Sequence, residues 1–185
     1  MKNEITKNEN QGFELVKINR KEFVTKYDPV QMLTSYRHIK TTEQAIKEDQ
    51  NGIAFYCKHL GEDTILAVIE LHLLALNQSV NVGQPLTKYQ IKEISIEILS
   101  VFYYLSIVEI CFILRKAKRG EFGQLYGALN IVAILDWFNQ YTEQRAAIYI
   151  EKSTKHRQNN FSLRSEERKI LERHEKLINK TPKNE

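Results

Sequence analysis

The sequence predicts an all-α fold, an irregular helical bundle with a long central helix and a C-terminal basic helical arm. Two observations lead to this prediction. The 185 residues include only seven glycines and three prolines, whereas Gly and Pro make up about 12% of an average protein. A fold of many short strands needs far more turn residues. Apolar residues also recur at three- and four-residue steps over long stretches, which is the period of an amphipathic helix.

The N-terminal part of the chain is expected to be an arm followed by a first helix. Residues 1–22 are polar apart from residues 13–18, so we expect a flexible N-terminal arm. Asp28 precedes Pro29, and Gln31 follows at the third helical position. An Asp cap before a Pro at the first helical position is a common helix start. A short helix is therefore predicted to begin at Pro29.

Three helices are predicted between residues 42 and 78. Thr41 and Gln44 have the spacing of a capping box, which predicts a helix at about residues 42–50. Residues 53–60 are expected to form a brief helical segment, and a strand is the alternative for a segment of this length. Residues 63–78 are apolar nearly all round, which is typical of a buried, central helix.

The clearest helix start in the chain is the capping box of Thr87 and Gln90. Apolar residues continue from there at three- and four-residue steps as far as Lys118, where Gly120 can end the helix. This pattern predicts a helix of about thirty residues, with a possible break near Ser106.

The last helix of the predicted domain spans residues 130–155, with Phe138 and Tyr141 on its core face. Residues 153–160 are polar, and we expect a hinge there. The domain is accordingly predicted at residues 23–155, followed by a basic helical tail at residues 156–185.

The charge of the chain is concentrated at its C-terminal end. Residues 152–185 contain ten Lys or Arg and five Asp or Glu, a net charge of +5. Since the whole chain has 27 basic and 23 acidic residues, residues 1–151 hold 17 basic and 18 acidic ones. A basic tail on a neutral body suggests contact with nucleic acid, an acidic partner or a membrane surface. A solvated helix that keeps the protein soluble explains the same charge.

The sequence favours a non-enzymatic binding protein that contacts nucleic acid at two places. One is the glycine-rich stretch at residues 116–127, where Lys116, Lys118 and Arg119 would contact phosphates and Phe122 or Tyr126 would stack on a base. A helix stop followed by a turn explains the same stretch. The other is the set of basic residues near and within the tail, namely Lys152, Lys155, Arg157, Arg164, Arg168, Lys169 and Arg173.

The alternative function is a protein interaction module or a homodimer. The tail has a narrow apolar stripe that could pack on another chain, formed by Leu163, Ile170, Leu171, Leu177 and Ile178. Steep weakening by salt would indicate phosphate contacts, whereas a contact between apolar helix faces responds little to salt.

Several classes of site are not supported by the sequence. The chain has neither the P-loop motif GxxxxGK followed by Ser or Thr nor the dinucleotide-binding motif GxGxxG, so we predict no nucleotide or other cofactor. It also has no CxxC, HxxxH or HExxH spacing, so we predict no metal. Residues 98–114 form an apolar run that contains Glu109. A carboxylate is costly inside a bilayer, so we predict no membrane span. Glu109 is instead expected to pair with Arg145, either as a structural ion pair or at the wall of a pocket.

The start of the chain lacks the apolar stretch of a secretory signal, which predicts a cytoplasmic protein. Cys57 and Cys111 each lie within apolar stretches and are expected to be reduced thiols.

Residues 62–150 combine a capped Leu86-Thr87 helix start, a Gly-x2-Gly-x2-Tyr-Gly loop and a helix that ends near Tyr-x3-Arg. The loop and the helix end correspond to Gly120, Gly123, Tyr126, Gly127, Tyr141 and Arg145. This pattern resembles uncharacterised small helical proteins of bacterial prophages and conjugative elements. The resemblance implies a mobile-element setting and no particular activity.

Overall fold

The structure, a computed structural model, describes residues 19–80, 82–123 and 129–178. Within these ranges the chain is helical and contains no strand, so the all-α prediction is confirmed for them. The helices are α1 (Arg20–Lys26), α2 (Pro29–Ser35), α3 (Thr42–Glu48), α4 (Ile53–Leu60), α5 (Glu62–Ser79), α6 (Lys88–Val101), α7 (Ile107–Lys118) and α8 (Ile131–Ile178).

The bundle begins earlier than the sequence indicates. Asn19 caps α1 by accepting a hydrogen bond from the backbone N–H of Lys21 at 2.9 Å, and Phe23 and Tyr27 are buried in the core. Residues 20–22, which were expected to belong to the arm, are thus part of α1. The polar first turn hid this helix, because only Phe23 of the helix and its C-cap Tyr27 are fully buried, while Val24 packs partly against the core. Residues 1–18 lie outside the described residues.

Local capping signals correctly predict the starts of α2 and α3. The Asp28 side chain accepts hydrogen bonds from the N–H groups of Val30 and Gln31. Both hydrogen bonds of the Thr41–Gln44 capping box are present. Helix α3 ends at Glu48, two residues before the expected end.

Helix α5 lies in the middle of the bundle and contacts α1, α2, α4, α6 and α7. Ile65, Ile69 and Leu73 are completely buried. Leu71 and Leu74 are exposed on the opposite side, so the expectation of a helix covered nearly all round is wrong on that side.

The long helix predicted at residues 88–118 is two helices. Helix α6 ends at Val101, and α7 begins after Ser106. The Ser106 side chain accepts a hydrogen bond from the N–H of Glu109 at 3.1 Å, and Glu109 Oε2 accepts one from the N–H of Ser106 at 3.0 Å. This capping box starts a new helix, whereas the apolar spacing alone continues across the break.

The break in the middle of residues 98–114 also divides the apolar run between two helices. No helix in the described ranges is both long and apolar enough to cross a bilayer. Most apolar residues of this run, such as Ile98, Leu105 and Ile113, are instead buried in the bundle core, whereas Val101 and Tyr103 are exposed.

The connection between α6 and α7 is held by the chain that enters α4. Ile53 N–H donates to the carbonyl of Leu105 at 2.8 Å, and Ala54 N–H donates to the carbonyl of Tyr103 at 3.0 Å. A Cβ atom on Gly52 would lie 2.9 Å from the carbonyl oxygens of both Tyr103 and Tyr104. Only glycine allows this close approach of the two backbones.

Helix α8 is continuous over 48 residues, about 72 Å at 1.5 Å per residue. Ile134, Phe138 and Tyr141 are fully buried, as the core-face prediction for Phe138 and Tyr141 requires. The helix passes without interruption through residues 153–160, where a hinge was expected. That segment is polar but contains neither Gly nor Pro, so it has no residue that ends a helix.

His72 is buried between α1 and α7. Its Nε2 atom lies 2.7 Å from the carbonyl oxygen of Tyr27, which assigns the hydrogen to Nε2. Cys111 Sγ lies 3.5 Å from Nδ1. Burial disfavours the charged imidazolium and lowers the pKa of His72, although the Tyr27 carbonyl acts in the opposite direction.

Replacing Gly52 with Ala is expected to lower the free energy of unfolding by about 1–3 kcal/mol, the usual cost of overpacking a rigid site. The added methyl group meets backbone oxygens, which cannot rotate away. Urea unfolding followed by circular dichroism measures the change. Wild-type stability for this variant would mean that the two backbones do not approach as described.

Stability is expected to fall as the pH drops below about 6.5, the ordinary pKa of His. In that range the unfolded chain binds a proton at residue 72 that the folded protein does not, which lowers stability by up to about 1.4 kcal/mol per pH unit. Urea midpoints measured between pH 5 and 7 for the wild type and for His72→Gln test this. Equal pH dependence of the two proteins would show that His72 takes up its proton as easily in the folded protein as in the unfolded chain.

Candidate functional site

A buried carboxylate, Glu109, organises the contact between α7 and α8. Glu109 is 1% exposed. Glu109 Oε1 accepts hydrogen bonds from the Tyr141 hydroxyl at 3.0 Å and from Arg145 Nε at 2.8 Å, while Oε2 is bound by the Ser106 N–H. The structure thus brings together Glu109 and Arg145, the ion pair expected from the sequence.

The environment of this carboxylate determines the protonation of its partners. Burial lowers the pKa of Arg145, but the charge of Glu109 and its hydrogen bond raise this pKa by more than burial lowers it, so the net shift is upward. Burial and the Glu109 charge both raise the pKa of Tyr141. The guanidinium is therefore charged and the phenol is neutral.

Arg145 lies between two tyrosine rings. Its Cζ atom is 5.4 Å from the ring centroid of Tyr104 and 5.0 Å from that of Tyr149, which are cation–π distances. Tyr104 comes from the α6–α7 connection, and Tyr149 lies one turn further along α8.

A pocket of about 420 Å³ opens beside Arg145, between the C-terminal end of α3 and α8. This is within the range of about 300–1,000 Å³ that is usual for ligand sites. Glu109 and Arg145 both line this pocket. The pair therefore also stands at the wall of a pocket, which was the alternative expected from the sequence. The other side chains around it include Lys47, Asp49, Gln50, Tyr149 and Lys152.

The rim of this pocket is a small ion-pair network. Glu43 Oε1 lies 3.0 Å from Lys47 Nζ and 3.1 Å from Lys152 Nζ. The Lys47 hydrogen bond, followed by that of Lys152, lowers the pKa of Glu43. The carboxylate therefore stays ionised and holds both ammonium groups at the rim.

Asp49 is held on the other side by two tyrosine hydroxyls. The Tyr27 hydroxyl donates to Asp49 Oδ2 at 2.9 Å, and the Tyr56 hydroxyl lies 3.2 Å from both carboxylate oxygens. Burial raises the pKa of both phenols, so they remain hydrogen-bond donors.

Two of the three predicted cations of the glycine-rich stretch, Lys116 and Arg119, have partners within the protein. Lys116 is 9% exposed, and its Nζ atom contacts Gln144 Oε1 at 2.9 Å and Glu121 Oε2 at 3.4 Å. Arg119 Nε donates to Glu121 Oε1 at 2.7 Å. A phosphate would have to compete with these partners, and phosphate contacts of Lys116 and Arg119 stay a prediction.

The remaining predicted residues of this stretch differ in position. Phe122 is partly buried and stacks on Trp137, with ring centroids 6.5 Å apart and an angle of 14° between the planes, so one of its faces already has a partner. Lys118 is exposed beside an apolar groove between α2, α5 and α7, and its partial burial lowers its pKa. Tyr126 lies outside the described residues.

Beyond Lys152, helix α8 leaves the bundle, and we call residues 152–178 of α8 the arm. Every side chain from residue 153 to residue 171 that the structure describes is exposed. These include Lys155, Arg157, Arg168, Lys169 and Leu171 from the predicted sites. Lys155 Nζ contacts Glu151 at 2.6 Å. The structure does not describe the side chains of the other residues predicted for this segment, namely Arg164, Arg173, Leu163, Ile170, Leu177 and Ile178.

Sequence reasoning missed five residues that line the pocket: Ile46, Lys47, Asp49, Gln50 and Tyr149. The only signal for them is the spacing of Arg145, Tyr149 and Lys152, which share one face of a helix. Nothing in the sequence indicates that α3 packs against this face.

A scan against protein-family models, a search of curated proteins and a search of solved structures each returned no match for this chain. The resemblance to helical proteins of prophages and conjugative elements therefore stays a prediction. Among the described residues, no three His, Cys, Asp or Glu side chains are grouped so that they could hold a metal ion.

Replacing Arg145 with Met is expected to lower the free energy of unfolding by about 3 kcal/mol or more, because it leaves the Glu109 charge buried without its counter-charge. Tyr141→Phe removes one hydrogen bond to a charged group and is expected to cost about 1.5–3 kcal/mol. Urea unfolding measures both. Arg157→Met is the matched control, since the same substitution at an exposed site of α8 changes stability by no more than about 0.5 kcal/mol. Equal stability of the Arg145 and Arg157 variants would contradict a structural role for the pair.

Proposed function

We propose that the protein is a non-enzymatic nucleic-acid-binding protein that contacts the phosphate backbone through its arm. The observation that supports this most is the exposure of Arg157, Arg168 and Lys169. Among the described residues these three side chains have no carboxylate within ion-pair distance. The proposal includes the cytoplasmic location and the mobile-element setting expected from the sequence.

The charge of the arm fits a polyanion better than it fits another part of this chain. Residues 152–178 contain eight Lys or Arg and four Glu, a net charge of +4, whereas residues 1–151 have a net charge of −1. The arm is 27 residues long, about 40 Å. Duplex DNA carries one negative charge per about 1.7 Å of its axis, so a helix of this length can face many phosphates at once.

The proposal rests on the arm and not on the glycine-rich stretch. Lys116 and Arg119 already have acceptors in Glu121 and Gln144, and Phe122 has its ring against Trp137. Phosphate binding there would break contacts of the bundle, whereas Arg157, Arg168 and Lys169 are exposed and have no ion-pair partner among the side chains that the structure describes.

A second candidate function is a protein interaction module or a homodimer that uses the same arm. Phe161 is 78% exposed and Leu171 is 64% exposed, and a second helix would cover them. Such a contact buries apolar surface and depends little on salt, so the salt dependence of binding separates the two candidates.

The triple variant Arg157→Ala, Arg168→Ala, Lys169→Ala is expected to bind duplex DNA more weakly than the wild type. The slope of log affinity against log salt should fall by about 0.9 for each phosphate contact that is lost. Fluorescence anisotropy with labelled duplex DNA at about 50–200 mM salt measures both quantities.

The matched control removes three exposed cations from the body of the bundle: Arg37→Ala, Lys58→Ala and Lys92→Ala. It changes net charge by the same amount, and its affinity and salt slope should stay close to those of the wild type. An equal loss of affinity in both triple variants would show that the effect comes from net charge alone and not from the arm. Absence of wild-type binding at the lowest salt would overturn the proposed function.

A further inference from the structure

One face of α8 connects the pocket to the arm. Arg145, Tyr149 and Lys152 follow each other at four- and three-residue steps, so they lie on the same side of the helix. All three line the pocket, and Lys152 is also the first cation of the arm. A strand held along the arm would therefore reach the pocket at the arm's base.

The pocket offers aromatic surface that is already held in place. Tyr149 lines the pocket and is 46% exposed, and Tyr104, which is 38% exposed, contacts the Arg145 guanidinium from outside the pocket lining. Arg145 is itself fixed by Glu109, so the rings lose little freedom when a ligand binds. Exposed aromatic rings next to cations are the usual platform for bases of single strands.

The rim offers donors for a phosphate. Lys47 and Lys152 each make one ion pair with Glu43, and an ammonium group has three N–H donors, so donors remain on both. The three rim charges sum to +1. A phosphate that bridges the two lysines would lie beside the Tyr149 ring.

The wall of the pocket offers groups for the edge of a base. The Asp49 carboxylate accepts from the Tyr27 and Tyr56 hydroxyls and from the Asn51 N–H, so the roughly four acceptor positions of this carboxylate are already used and it only borders the pocket. The neighbouring Gln50 side chain is exposed and has both donors and an acceptor.

From this arrangement, and resting on the proposed function, we infer that the pocket binds one unpaired nucleotide of a single-stranded nucleic acid. The base stacks on Tyr149, its phosphate contacts Lys47 and Lys152, and the neighbouring phosphates continue along the arm. A duplex presents no unpaired base to the pocket, so the protein should bind single strands more tightly than a duplex of the same sequence.

The test compares Tyr149→Ala with the wild type in anisotropy titrations of single-stranded and duplex DNA. Loss of one base-stacking contact should weaken single-strand binding by about five-fold or more, with an unchanged salt slope and with duplex affinity within about two-fold. Tyr149→Phe keeps the ring and should retain most of the affinity. Tyr89→Ala, which removes an exposed tyrosine from α6, is the matched control and should have no effect.

A strand containing 2-aminopurine adds a direct signal for the base in the pocket. Its fluorescence should change when it binds the wild type and the Tyr149→Phe variant, and this change should be lost with Tyr149→Ala.

The outcomes separate this inference from the proposed function. Equal affinity of the wild type for single and double strands, or no effect of Tyr149→Ala on single strands, overturns the pocket inference. Duplex binding that depends on the arm would still support the proposed function in that case. Circular dichroism of each variant checks that its helices are intact.

Discussion

The buried carboxylate of Glu109 is the contact on which the rest of the site depends. An ionised side chain can be buried only with its charge and its hydrogen bonds satisfied, and here three groups are needed at once. The Ser106 N–H comes from the start of α7, and Tyr141 and Arg145 come from two turns of α8. The same carboxylate therefore sets where α7 begins and how α8 lies against it, and this determines where the arm leaves the bundle.

The break between α6 and α7 follows from the same requirement. Ser106 and Glu109 form a capping box inside the core, so the preceding residues cannot continue α6 in a straight line. Their carbonyls are satisfied instead by the N–H groups at the start of α4, where Gly52 permits the close approach. The α6–α7 connection also brings Tyr104 to Arg145. The break in the apolar run therefore supplies one of the two tyrosine rings that contact Arg145.

Local signals made much of the fold predictable, and long-range contacts account for what was missed. The caps at Asp28, Thr41 and Thr87 marked three helix starts correctly, because each cap depends on residues within one turn. The burial of Lys116 depends on Gln144, which is 28 residues away, and no local pattern indicates that contact. The pocket between α3 and α8 joins segments about a hundred residues apart, so its α3-side members, such as Lys47, Asp49 and Gln50, looked like ordinary surface residues in the sequence.

The hinge expected at residues 153–160 illustrates the difference between polarity and helix breaking. Polar residues determine that a segment faces water, whereas Gly or Pro is usually needed to end a helix. Because α8 has neither over that stretch, Arg145 and Lys169 lie on one continuous helix, about 36 Å apart along its axis. In the proposed complex, a strand that places one base beside Arg145 would follow the same helix toward the cations of the arm, and the pocket and the arm would act on one ligand.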